Sequence, residues 1–191
     1  KDLRNIGVTT VRMKGHKVAG VDYRIVPLAD YEPDILYQKQ VQAHYADPGL
    51  NKPVGRFGNA ADKWGLANWM AAAVADEADA DVGFYHIGGV RLDSIPAGGV
   101  SAAKVYGLEP FGTLVARMEM TPAQMRRMIV SKYNDPVNAK EAHRIDLIST
   151  TPYVIVTDAA DNALDVQFPK LREGRKYKVA VSDYIYRNYK D

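Results

Sequence analysis

The chain has 191 residues, 47% hydrophobic and 25% charged, with a formal net charge of +2. This length suits one medium domain, or one domain with an appendage, and the apolar share is enough to bury a core. The near-neutral balance is too weak for a nucleic-acid footprint. The lack of cysteine excludes disulfides, thiolate metal sites and cysteine nucleophiles, and no apolar run approaches the roughly 20 residues of a membrane helix.

The opening Lys1-Asp2-Leu3-Arg4 lacks the pattern of a signal peptide, so a mature form or a piece of a longer polypeptide is expected. Val8 to Met13 and Val18 to Val26 are β-rich, and Lys14-Gly15-His16-Lys17 between them predicts a hairpin turn. The hairpin has an apolar face made of Thr9, Val11, Val21, Tyr23 and Ile25. A helix is expected from about Pro33, placed in its first turn, to Ala46. Asn51 to Gly58 is read as a loop. Asn59 is read as the cap of a helix from Ala60 to about Ala78, with Trp64, Ala67, Met70, Ala71 and Val74 on its apolar stripe.

Val82 to Tyr85 is a short strand that runs into the glycine-rich turn His86-Ile87-Gly88-Gly89-Val90-Arg91. Val105 to Phe111 leads to a second corner, Pro110-Phe111-Gly112, followed by a strand from Leu114 to Met120. Thr121-Pro122 has the form of a helix cap with proline at the first helical position. Further strands are predicted at Tyr153 to Thr157, Ala163 to Phe168 and Tyr177 to Val181, with a turn at Asp161-Asn162. Helices and strands alternate without a strict βαβ repeat. The expected class is therefore α+β, a mixed β-sheet with packed helices and an N-terminal β-hairpin.

Three local features bear on function. In Gly88-Gly89-Val90-Arg91 the glycines allow close backbone approach to a ligand, and the arginine fork can reach an anionic or hydroxylated group. The plainer alternative is a strand-end turn with a solvated arginine. Glu109-Pro110-Phe111-Gly112 offers an aromatic platform on a rigid corner, or else a phenylalanine folded into the core. Tyr184 follows the last strand and offers a second aromatic face, or else a tyrosine with its body packed and its hydroxyl wet. His16, His44, His86 and His143 are dispersed, and the acidic run Asp76, Glu77, Asp79 and Asp81 reads as a solvated helix end before it reads as a metal site.

In order, the turn ending in Arg91, then Ile95-Pro96-Ala97-Gly98-Gly99-Val100-Ser101, then Pro110-Phe111-Gly112, then Met120-Thr121, resembles the C-terminal domain of 5′-nucleotidases. The resemblance covers roughly Pro33 to Asp191, and Asn5 to Leu28 is similar to the last strand pair of that family's metallophosphatase domain. It implies a hairpin over residues 1–30 and a substrate-recognition domain over residues 31–191. In the family an arginine at the place of Arg91 contacts substrate, and aromatics at the places of Phe111 and Tyr184 sandwich the base. The resemblance also implies substrate contacts for His86, Gly88, Gly89, Thr113 and Asp191.

It implies no catalytic or metal-binding residue in this chain, and divalent metals held by a metallophosphatase domain or subunit. The implied partners are that domain and a nucleoside or nucleotide, in the periplasm or at the cell surface. Several positions depart from the family pattern. His86 and Thr113 stand where the family has Asn, Thr150 where it has Gly, and Gly65-Leu66 where it has Gly-Asn. Arg56 is near the family's second substrate arginine but not aligned with it, and Asn188-Tyr189-Lys190-Asp191 replaces Gly-Gly-Asp-Gly. Two further readings stay open: a non-catalytic nucleotide- or small-molecule-binding module of the same ancestry, and a scaffold whose hairpin docks to a partner subunit.

Overall fold

Two long runs of interleaved apolar and polar residues pair as expected. In the computed structural model, which describes residues 4–46, 48–135 and 147–189, β1 (Asn5–Lys14) and β2 (Lys17–Pro27) form an antiparallel hairpin. Thr9 faces Tyr23 and Val11 faces Val21, with a bulge between Arg12 and Met13. Arg12 and Asp22 form an exposed ion pair. Helix α1 (Ile35–Tyr45) is capped by Asp34, whose Oδ1 accepts from the backbone of Leu36 at 2.8 Å and Tyr37 at 3.2 Å. Pro33 therefore stands ahead of the cap, not inside the first turn. The carboxylate of Asp34 satisfies two of the helix's orphan N–H groups and so fixes the start.

The chain divides into two compact units, Lys1–Pro48 and Gly49–Asp191. The hairpin and α1 belong to the first, and α2 (Pro48–Asn51) straddles the division. The second unit continues with β3 (Pro53–Phe57), β4 (Ala61–Asp62), α3 (Lys63–Glu77), β5 (Val82–His86), β6 (Ser94–Ile95), β7 (Gly98–Ser101) and α4 (Ala102–Leu108). It ends with β8 (Val115–Met120), α5 (Pro122–Tyr133), β9 (Leu147–Ser149), β10 (Val154–Thr157), β11 (Ala163–Gln167), β12 (Tyr177–Ser182) and α6 (Asp183–Asn188).

Among the described residues the main sheet of this unit has the order β8-β12-β5-β9. β12 runs parallel to β5 and antiparallel to β8, and β5 runs antiparallel to β9. The mixed sheet with packed helices is thus present. Its side chains obey the two-residue period of a strand. Val82, Phe84, Val179 and Val181 enter one core cluster, with Met125, Met128 and Ile129 of α5 and Val166 of β11. Tyr85 and Ala180 point the other way, into a cluster with Leu66, Ala67, Ala71 and Val74 of α3. One sheet face is covered by α3 and the other by α5 with the β10–β11 hairpin.

Small residues set how closely α3 lies on the sheet. A Cβ built on Gly83 would overlap the carbonyl oxygen of Ala71 and stand 2.9 Å from Cβ of Ala75. The helix backbone rests directly on β5 there. On the opposite face Thr121 and Gln124 close a capping box on α5. The Thr121 N–H donates to Gln124 Oε1 at 2.9 Å, the Gln124 N–H donates back to Thr121 Oγ1 at 3.4 Å, and Pro122 stands in the first turn.

Three expectations about the start of this unit are corrected. Asp62, not Asn59, caps α3, because its Oδ1 accepts from the Gly65 N–H at 2.7 Å. Ala61 and Asp62 are drawn into β4 by pairing with Ile95 and Ser94. Trp64 lies off the buried stripe, at 42% exposure, and the stripe instead takes in Leu66 and Ala75. Within the expected loop of Asn51 to Gly58, β3 pairs with β7, setting Arg56 against Gly99.

Candidate functional site

Three connections meet at one end of the main sheet. Val181 pairs with Phe84 in parallel and Ser182 pairs with Val115 in antiparallel. The chain leaving β5, the chain leaving β12 and the chain entering β8 therefore emerge on the same side. These are the segments that carry His86 to Arg91, Asp183 to Tyr189, and Glu109 to Leu114. Ligands of open sheets bind at the carboxyl ends of parallel strands for this reason: the backbone turns away and leaves side chains and amides facing a crevice.

The first connection is a 3₁₀ turn, Ile87–Gly89, with Ile87 and Gly89 buried and Gly88 exposed. Gly89 serves close approach. A Cβ there would lie 2.6 Å from His86 Cε1 and 2.8 Å from His86 Nε2. The imidazole in turn stacks on Tyr184, with ring centroids 4.4 Å apart and planes 23° apart. Tyr85 lies on the same column, 5.2 Å from the His86 ring at 28°. Tyr184 lies in the first turn of α6, which Ser182 caps by accepting from the Ile185 N–H at 3.3 Å, and the residue remains 47% exposed.

The second connection is a corner organised by Glu109. Its Oε1 accepts from the Phe111 N–H at 3.2 Å and the Thr113 hydroxyl at 2.8 Å, and its Oε2 accepts from the Thr113 N–H at 3.4 Å. Gly112 sits at φ +61°, where glycine is favoured. The corner is tied to the other two connections. The Arg91 N–H donates to the Leu108 carbonyl at 2.9 Å, the Asp183 N–H donates to the Leu114 carbonyl at 2.8 Å, and the Leu114 N–H donates to Asp183 Oδ1 at 3.3 Å. Phe111 is thereby held out of the core at 61% exposure, and the Arg91 guanidinium carbon lies 5.9 Å from its ring centre. That is within the roughly 6 Å reach of a cation–π contact.

Of the candidate residues, the structure brings His86 together with Gly89 and Tyr184, and Arg91 together with Phe111. Thr113 is drawn into the Glu109 network and Gly88 lies exposed in the turn. Asp191 lies outside the described residues, as does His143. Two members were missed in the sequence. Glu109 stands two and four residues before its partners, a side-chain-to-backbone turn pattern that could have found it. Tyr85 gave no signal, because only the tertiary packing puts its hydroxyl under the corner.

That hydroxyl is buried without a hydrogen bond of good geometry. Burial is the main cause that pushes Tyr85 from the ordinary 10.0 up to about 12, with the Glu109 and Asp183 carboxylates adding to the rise and the nearby Thr113 hydroxyl opposing it. A buried donor without an acceptor costs about 1–3 kcal/mol. Tyr85→Phe should therefore leave neutral-pH stability equal or higher. The raised folded value means the tyrosine's contribution is full below pH 10 and is lost as pH rises towards about 12. Denaturant unfolding across that window should show the variant's advantage widening as pH rises; a constant difference would refute the assignment.

Two members of the acidic run, Asp79 and Asp81, have a structural role. Lys178 Nζ holds Asp79 at 2.9 Å, and this hydrogen bond is the main reason that carboxyl lies below its usual range. Asp81 Oδ2 accepts from the Lys178 N–H at 2.8 Å. Among the described residues no three Asp, Glu or His side chains gather as a metal ion requires.

The sequence profile of the family described as "5′-nucleotidase, C-terminal domain" matches residues 49–190. The chain belongs to this family. Among solved structures it is similar to a 5′-nucleotidase precursor from Thermus thermophilus, with a TM-score of 0.65, 16% identity, and coverage of 95% of this chain and 40% of that one. It is similar to the NAD nucleotidase of Haemophilus influenzae, at a TM-score of 0.56 and 16% identity over 81% of this chain and 33% of that one. It is also similar to a sulfate thiohydrolase, SoxB, of Thermus thermophilus, at 0.59 and 14% over 94% of this chain and 36% of that one. No curated protein sequence matches. The chain spans about a third to two-fifths of the length of these structures. Shared fold with both nucleotidases and a thiohydrolase means that the 5′-nucleotidase C-terminal fold alone does not choose the ligand; the site residues must do so.

Proposed function

We propose that this chain is the substrate-recognition domain of a 5′-nucleotidase-type phosphomonoester hydrolase. It binds the base of a nucleoside or nucleotide between Phe111 and Tyr184, with Arg91 at the rim. The observation that carries this reading is the exposure of both aromatic rings on tied-down connections at one end of the sheet. Exposed aromatic rings are costly to leave in water and suit a planar ligand, since base–aromatic stacking contributes roughly 1–3 kcal/mol per base. The same reading gives substrate contacts to Gly88, Gly89, Thr113 and Asp191, and sets His86 beside them with its ring against Tyr184. The divalent metals act from a metallophosphatase domain or subunit, which holds the phosphate end of the substrate. No described helix is long and apolar enough to cross a membrane, and periplasmic or cell-surface placement is part of the same proposal.

The test is a calorimetric titration of the purified chain with adenosine, run beside an assay of phosphate release from AMP with divalent metals. Binding of adenosine without phosphate release is the expected result. Absence of binding would overturn the recognition role, and metal-dependent release by the pure chain would overturn the division of labour. A second reading, a non-catalytic nucleotide- or small-molecule-binding module of the same ancestry, is favoured by the departures at His86, Thr113, Thr150 and Asn188 from the family pattern. It predicts binding of a small planar molecule other than adenosine, with no phosphate release when a metallophosphatase partner is supplied.

A further inference from the structure

Tyr184 has a ring neighbour already. The His86 imidazole lies against it with centroids 4.4 Å apart and planes 23° apart, close to the separation of stacked rings. The imidazole itself is held from below. The backbone of Gly89 sits so near that a single added carbon would come within 2.6 Å of Cε1, and the wholly buried Tyr85 continues the column at 5.2 Å. Tyr189 stands nearly perpendicular to Tyr184, at 75° and 6.4 Å. A half-exposed tyrosine in the first turn of a short helix would ordinarily sample several rotamers. This one is seated against a chain of rings anchored in the core.

We propose that His86 is a positioning residue for ligand stacking: its ring backs Tyr184, fixes the plane of that ring and leaves the opposite face for the ligand. The proposal rests on the nucleoside reading above and deepens it. His86 acts through its ring, not through a hydrogen bond to the base, so its chemistry differs from that of an asparagine at the same place. A fixed ring meets its ordering cost in folding and not in binding, which is how preorganisation raises affinity. Gly89 belongs to the same device, because any side chain there would displace the imidazole.

The experiment separates ring from hydrogen bond. Adenosine affinity is measured by calorimetry for the wild-type chain, His86→Asn and His86→Phe, each checked by thermal melt. His86→Asn keeps polar groups but loses the ring, and should weaken binding about five- to tenfold, a part of the stacking contribution. His86→Phe keeps the ring alone and should rescue most of that loss. In parallel, the His86 ring protons should resonate upfield in the NMR spectrum of the free chain and return towards ordinary shifts in Tyr184→Leu. Full affinity in His86→Asn with loss in His86→Phe would make His86 a hydrogen-bond reader and overturn this proposal alone. Ring-proton shifts indifferent to Tyr184→Leu would remove the stack. A wild-type chain that gives no heat with adenosine, its His86 shifts intact, would overturn the nucleoside reading and this proposal with it.

Discussion

Gly83→Ala should be among the most destabilising single-methyl additions available to this chain. The new Cβ would overlap the Ala71 carbonyl oxygen and press on Ala75 at 2.9 Å. Rotation of a side chain cannot relieve the first clash, because the obstacle is helix backbone. The whole of α3 would have to lift from β5, and the contacts of Leu66, Ala67, Ala71 and Val74 with Tyr85 and Ala180 would loosen together. Overpacking a close-packed core costs typically about 1–3 kcal/mol, and a backbone clash belongs at the upper end or beyond it. The Gly83 N–H also donates to Thr150 Oγ1 at 2.9 Å and its carbonyl accepts from the Thr150 N–H at 3.0 Å, so displacement of β5 would disturb that link too. Denaturant unfolding of the variant should show a lower midpoint, and preserved stability would mean that α3 does not rest on the strand as described.

The elements that could be read in the sequence share a property: their information is local. Val82 to Tyr85 and Val179 to Val181 are short apolar runs, and the two-residue period of a strand then sends Phe84 and Tyr85 to different core clusters. Thr121, Pro122 and Gln124 carry a complete capping box within four residues. By contrast β4 and β6 are two-residue strands whose pairing joins Ala61–Asp62 to Ser94–Ile95. No period can show in two residues, so a partner distant in the sequence decides the conformation. β3 was hidden by its proline and glycine, and α4 by the string of small residues that precedes it. Its cap, Ser101 accepting from the Lys104 N–H at 3.3 Å, is visible only once Ser101 is known to end β7.

The site divides in the same way. Arg91, Phe111 and Tyr184 stood out because glycine, proline and aromatic residues at a strand end are unusual company. What holds them did not stand out. Glu109 organises the Phe111 corner through hydrogen bonds to the backbone, and Asp183 reaches across from α6 to Leu114. Both are carboxylates of a kind found on any solvated surface. The stacking of His86 on Tyr184 joins residues far apart in the chain, and nothing in either segment announces the other.

Phe111→Ala should separate folding from binding more cleanly than any other substitution in the site. At 61% exposure the ring contributes little to the core, so its loss should change stability by less than about 0.5 kcal/mol, as for most surface substitutions. A buried phenylalanine would instead cost about 3–5 kcal/mol. The corner itself should survive, since Glu109 holds it through backbone groups and Thr113, not through the Phe111 ring. Adenosine binding, however, should weaken by roughly 1–3 kcal/mol, the contribution of one base–aromatic stack. Arg91→Ala should weaken it as well, both by removing a charge-assisted contact to ligand and by releasing the guanidinium that lies 5.9 Å from the Phe111 ring. Tyr184→Ala is less informative, because it also strips the His86 ring of its neighbour. The decisive pair of measurements is a thermal melt and an adenosine titration on Phe111→Ala. An unchanged melt with weakened binding is the expected result. Unchanged binding would remove Phe111 from the site, and a collapse of the melt would make it a structural residue.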